Sequence, residues 1–210
     1  MSTDQARRAW SNADVLRRRL REALETMAPG LKRCMYCGDS EGSSIDHFEP
    51  LRIAPLKAFA WVNHLLACTH CNSNYKRDRF PVDPDGHCLL VDPTREEPAD
   101  HLLLILRTGE YQPRSAKGQA TIEVFGLARQ SLEQGRARAF VRCRSMLRDI
   151  AALLDAGDAE SAAEVADSLR VQPFADVLYA MQSVRELRGA VAVLGAREVE
   201  SLRWLARRPG

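Results

Sequence analysis

Cys34-Met35-Tyr36-Cys37 opens a run of ligand-type residues that continues through Asp46-His47 and Asn63 to Cys68-Thr69-His70-Cys71-Asn72. Thiolates are soft ligands suited to zinc, and a two-residue gap lets both sulfurs of a pair face one ion. Two such pairs, with thirty residues between Cys37 and Cys68, predict a tetrahedral zinc site made of Cys34, Cys37, Cys68 and Cys71. A closed zinc site has no use for the groups between and just after the pairs. Asp46, Asn63 and Asn72 carry oxygens suited to a hard cation, and His47 is an imidazole able to take a proton near neutral pH. A second, catalytic centre is therefore expected beside the structural metal.

The 210 residues suffice for one medium domain or two small ones. A content of 45% hydrophobic and 28% charged residues is ordinary for a globular chain. The net charge of +2 argues neither for nor against a polyanionic partner. Its distribution says more. Residues 7–33 hold eight basic and three acidic residues, and residues 129–148 hold six arginines and Glu133 alone. Residues 149–169 hold six carboxylates and no Lys or Arg. The start of the chain is polar, and no apolar run approaches the ~18–20 residues that cross a bilayer. With four of the six cysteines in paired knuckles, a disulfide framework is disfavoured and a reducing cytoplasm is the expected setting. Cys88 and Cys143 are then free thiols acting as small buried hydrophobes.

Residues 4–27 read as one basic helix, with Ala13, Leu16, Leu20 and Leu24 at helical spacing. Ala28-Pro29-Gly30 ends it. The stretch 43–50 reads as a strand end carrying Asp46 and His47, and the apolar run 59–66 anchors this small unit. Two further β-like runs lie at 88–91 and 101–106, between proline and glycine breaks. From Ser115 onward the pattern is helical, with helices over about 128–155 and 158–170 and a last pair between 173 and 207. The expected fold is α+β, divided into an N-terminal helix (1–30), a zinc-stapled core (31–114) and a helical C-terminal region (115–210).

Hydrolysis of a phosphodiester needs a base to activate water and a cation to stabilise charge on phosphate. His47 suits the first role. Asp46, on the opposite face if the pair lies on a strand, could hold Mg²⁺ or Mn²⁺ through oxygen, with Asn72 completing the site. Asn63 could orient His47 by hydrogen bonding. His64 and His87 read as ordinary surface or loop residues, and His101 as structural. Asp92, ahead of Pro93, reads as a turn residue or as a contact to the active-site loop.

The set Cys34/Cys37, Asp46-His47, Asn63, Leu65 and Cys68/Cys71-Asn72 resembles the zinc-containing branch of the HNH (ββα-metal) endonucleases. The resemblance implies His47 as general base, Asp46 and Asn72 as ligands of the catalytic metal, and Asn63 as a brace for the loop and for His47. His70 is the rival ligand to Asn72. Three residues after Asn72, where many members carry Lys, stands Tyr75, with Lys76 following. A narrower likeness, through Ile45-Asp46-His47-Phe48-Glu49-Pro50, residues 61–68, Asp78-Arg79-Phe80-Pro81 and Leu89-Leu90-Val91-Asp92-Pro93, is to the HNH proteins of retron and Septu anti-phage systems. It implies DNA as substrate and an ATPase subunit as partner, and the lack of a spanning apolar run leaves no membrane partner expected. Two other readings stay open: a zinc-stapled subunit that binds nucleic acid or an ATPase without cutting, and a homing or restriction nuclease outside defence. The basic N-terminal helix and residues 129–148 are either phosphate contacts or, more commonly for such charge runs, solvated helix faces, and the acidic stretch 149–169 is either a solvated face or a docking surface for a basic partner.

Overall fold

A computed structural model describes residues 1–208, so the last two positions of the expected C-terminal region lie outside the described residues. Helix and sheet are mixed. The chain divides into two compact units, the first made of residues 1–103 and 111–129, the second of residues 104–110 and 130–210.

The first unit begins with two helices, α1 (Thr3–Ser11) and α2 (Asp14–Met27), where the periodicity alone predicts one. The break has a local cause. Asn12 ends α1 with its N–H on the Arg8 and Trp10 carbonyls, and Ala13 leaves helical geometry at ψ +45°. Ser2 and Gln5 form a reciprocal capping box at the start of α1. The sheet is a single antiparallel pair, β1 (Ser44–His47) with β2 (His64–Ala67), in the register Ser44↔Ala67, Ile45↔Leu66, Asp46↔Leu65 and His47↔His64. Leu65, Leu66 and Ala67 are fully buried against α2, whose Leu24 is buried in turn. A π-helix (His70–Lys76) follows β2 directly.

After a loop come α3 (Pro98–His101), the hairpin β3 (Leu102–Ile105) and β4 (Glu110–Pro113), and α4 (Ala116–Phe125). The outer part of the hairpin, residues 104–110, groups with the second unit. The run 88–91, expected as a strand, makes only one isolated bridge, Val82 to Cys88. Its apolarity has another reason: Leu90 and Val91 are core residues, and the Val91 N–H donates to Thr121 Oγ1 at 2.9 Å.

The second unit is built on α5 (Gln130–Asp155), which packs against α6 (Ala159–Arg170), α7 (Ala175–Val184) and α9 (Ala196–Ala206). Leu132, Arg136, Ala139, Cys143, Leu147 and Ile150 recur at three- and four-residue spacing along its buried face. Between 173 and 207 there are three helices, not two, because Gly189 and Gly195 set off the five-residue α8 (Ala190–Leu194). The arginines of 129–148 are largely used inside the protein. Arg136 is buried and donates to the Gly109 carbonyl, and Arg144 and Arg148 pair with buried Glu198. Within the acidic stretch, Asp158 caps α6 by accepting from the Ser161 N–H.

Gly126 ends α4 in the left-handed conformation at φ +59°, and a Cβ there would lie 2.3 Å from the Tyr75 ring. Arg129 covers the same ring at 4.6 Å, which limits its retreat. Gly126→Ala is expected to lower stability by at least about 1–2 kcal/mol, the left-handed penalty alone, read as a lower denaturation midpoint. An unchanged midpoint would contradict this packing.

Candidate active site

Cys34 and Cys37 lie on a knuckle tied to the sheet: the Met35 N–H donates to the Leu66 carbonyl and the Cys34 N–H to Ser40. Cys68 and Cys71 span the junction of β2 and the π-helix. The four sulfurs are buried and lie within 4.8 Å of one another, and Cys37 Sγ is 3.9 Å from Cys68 Sγ. Four soft donors at one point, shielded from water, fit zinc. Hydrogen bonding among the thiols sets their acidities apart. The bond from Cys34 holds Cys37 down at about 7, the bonds from Cys34, Cys37 and Cys71 hold Cys68 low, and Cys34 and Cys71 are pushed up. A cation would deprotonate the set outright.

The two faces of β1, which lies beside the cysteine cluster, carry different groups. On one face, Ser44 and Asp46 look toward the π-helix. Asn72 Nδ2 donates to Ser44 Oγ at 3.0 Å, and Lys76 Nζ donates to Asp46 Oδ1 at 3.0 Å and to the His47 carbonyl at 2.7 Å. The π-helical turn explains the spacing, since its wider closure, from the Arg77 N–H to the Asn72 carbonyl at 2.7 Å, adds a residue to the turn. Lys76 thereby shares the strand-facing side with Asn72, while Tyr75 points away to Gly126.

Asp46 is 3% exposed and Lys76 0%, and the Tyr36 hydroxyl donates to Asp46 Oδ2 at 2.5 Å. Both Asp46 oxygens are therefore taken by protein donors. Burial outweighs these favourable contacts and leaves the Asp46 carboxyl above its ordinary range. Asp46 and Asn72 lie on one face, as expected for a shared cation, but in this conformation they do not fit one: an ammonium already holds the carboxylate. His70 is exposed, and its Nδ1 accepts from Asn74 at 3.2 Å.

On the other face stands His47. Its Nε2 lies 3.0 Å from the Ala58 carbonyl, and a carbonyl only accepts, so Nε2 carries the proton and Nδ1 keeps its lone pair. Burial first, then the charge of Lys76, lowers the His47 pKa, against the opposing pull of the Ala58 carbonyl. The ring therefore stays a neutral base to lower pH than free imidazole. Asn63 does not touch His47. Its side chain accepts from the Glu49 N–H at 2.7 Å and donates to the Glu49 and Lys57 carbonyls, which braces the loop that presents Ala58. The orientation of His47 by Asn63 is thus indirect.

Three participants were not legible as such in the sequence. His64, read as a surface residue, is 3% exposed, and its Nε2 shares the Ala58 carbonyl at 3.1 Å. Its pKa falls to about 4 through burial and the neighbouring His47. The pairing His47↔His64 in the β1–β2 register puts both rings on one face, a signal available once the register is known. Trp10 of α1 stacks on His64 at 5.1 Å and meets His47 edge-on at 4.5 Å. Lys76 is the third. His87 is exposed, His101 bonds Ser115 and Glu96, and Asp92 accepts from the Thr94 N–H in a turn.

Over 137 residues the chain is 26% identical to Septu protein PtuB of Bacillus mycoides (strain KBAB4), a match covering 50% of this chain and 46% of that protein. The chain thus spans about half the length of the relative it matches. No family model and no solved structure matches.

Removing one member of a buried ion pair leaves the other uncompensated, whereas a neutral pair of similar shape is tolerated. Lys76→Met alone is expected to lower stability by ~3–5 kcal/mol, with most of that loss recovered in Asp46→Asn/Lys76→Met. Denaturation of the zinc-loaded variants measures both, and additive losses would sink the pairing.

Proposed function

We propose that this protein is an HNH-type endonuclease that cleaves DNA phosphodiester bonds in anti-phage defence, acting beside an ATPase subunit. The observation that carries the reading is the fixed tautomer of His47. A neutral imidazole, clamped at Nε2 by Ala58, offers Nδ1 at the end of a short strand that a four-cysteine site holds in register. In this reading Nδ1 takes a proton from water as the water oxygen bonds to phosphorus. The bond from phosphorus to the departing sugar oxygen then breaks, and that oxygen takes up a proton from solvent. The likeness to Septu protein PtuB supports the defence setting. The order β1, β2, π-helix, with cysteines at the knuckle and the turn, supports the ββα-metal reading.

The same reading assigns Mg²⁺ or Mn²⁺ to Asp46 and Asn72, and it requires Lys76 to release Asp46. That requirement is the observation favouring a second reading, a zinc-stapled subunit that binds nucleic acid or the ATPase without cutting. Residues 149–169 of the second unit remain the proposed docking face.

Plasmid cleavage separates the two readings. His47→Ala is expected to lose about 10²–10⁴-fold in rate with zinc content and fold unchanged, and cleavage by the parent protein is expected to need Mg²⁺ or Mn²⁺. Full activity in His47→Ala would overturn the assignment. No cleavage by the parent, with either ion and with the ATPase present, would favour the binding subunit. If His47 is the base, the acidic limb of the rate profile lies below the ordinary imidazole range, because burial keeps the ring neutral there.

A further inference from the structure

Five large apolar side chains stand exposed within ten residues of the loop between β1 and β2: Ile53, Leu56, Phe59, Trp61 and Val62. Leu56 is 79% exposed, Trp61 44% and Phe59 42%. The loop is not slack. Asn63 holds the backbone at Glu49 and Lys57, while Ala58, buried against Ala6, Leu51 and Trp10, anchors its middle. Side chains of this size are costly to leave in water, and holding them out rigidly prepares a surface for a partner.

The chemistry of the loop narrows the partner. Residues 51–63 carry Arg52 and Lys57 and no carboxylate. Arg52 donates to the Asp78 carbonyl at 3.5 Å, and Lys57 reaches Glu49 from a half-exposed position. The rings also lead somewhere: Phe59 lies 5.8 Å from Trp10, and Trp10 lies 4.5 Å from His47. A series of rings thus runs from the exposed loop to the imidazole. Cations beside exposed ring faces are the means by which proteins hold unpaired nucleotides, phosphates on the charges and bases on the rings.

We propose that the loop 52–62 is a stacking platform for unpaired bases, with Phe59 and Trp61 taking base faces and Arg52 and Lys57 taking phosphates. It delivers a single-stranded segment to His47. This rests on the nuclease reading and adds to it a substrate class. Duplex DNA hides its base faces, so the platform discriminates in favour of single strands or locally opened duplex.

Binding of a fluorescent oligo(dT), and of a duplex of the same length, to the zinc-loaded full chain carrying His47→Ala tests this without cleavage. Phe59→Ala and Trp61→Ala are each expected to weaken oligo(dT) binding at least about fivefold, the low end of a stacked base, while duplex binding holds. Phe59→Tyr and Trp61→Phe, which keep a ring, are expected to retain oligo(dT) binding and guard against misfolding. Alanine variants that bind oligo(dT) as the parent does, or that weaken strand and duplex alike, overturn the platform and leave the nuclease reading standing. A parent protein that binds neither nucleic acid overturns both.

Discussion

Four thiols converging on one point is the constraint from which the rest of the first unit follows. The β1–β2 pair is only four residues long on each side, and an isolated two-stranded hairpin is marginal in water. Metal binding energy of ~10 kcal/mol or more, which structural zinc supplies, would close the loop from Cys34 to Cys71. It would thereby fix three things together: the knuckle with Tyr36, the register of His47 against His64, and the start of the π-helix. Each contributes a side chain to the site. A zinc ion there would support the geometry without itself reaching the His47 face.

A division of labour between the faces of β1 follows. The inner face carries the Tyr36–Asp46–Lys76 cluster, with Asp46 and Lys76 buried, and its ammonium also grips the His47 carbonyl. The outer face carries the His47 ring, its tautomer set by Ala58 and its flank covered by Trp10. The ion pair thus acts on His47 through the backbone, and the braced loop acts on it through the ring. Both supports come from outside the Asp-His dipeptide, so the geometry of the pair is set by its surroundings.

Much of this geometry was legible in the sequence because paired cysteines and strand ends are local features. The spacing of the cysteines predicts that their sulfurs converge, and the alternation of a strand separates Asp46 from His47. What stayed hidden depends on contacts distant along the chain. Lys76 is visible as a partner of Asp46 only once the extra residue in the turn is known to be taken up as a π-helix. Trp10 reads as one more apolar position on a basic helix. The break at Asn12 and Ala13 escapes the periodicity because apolar spacing continues across it. The arginines of α5 look like a phosphate-binding face until Glu198, fifty residues on, is seen to claim two of them.

In the proposed mechanism His47 presents its free nitrogen to a phosphodiester. This is tested most directly by a crystal structure of the zinc-loaded His47→Ala protein bound to oligo(dT). A phosphate is expected within about 3 Å of the point that Nδ1 would occupy, or one water away. A strand bound with every phosphate remote from position 47 would contradict the account.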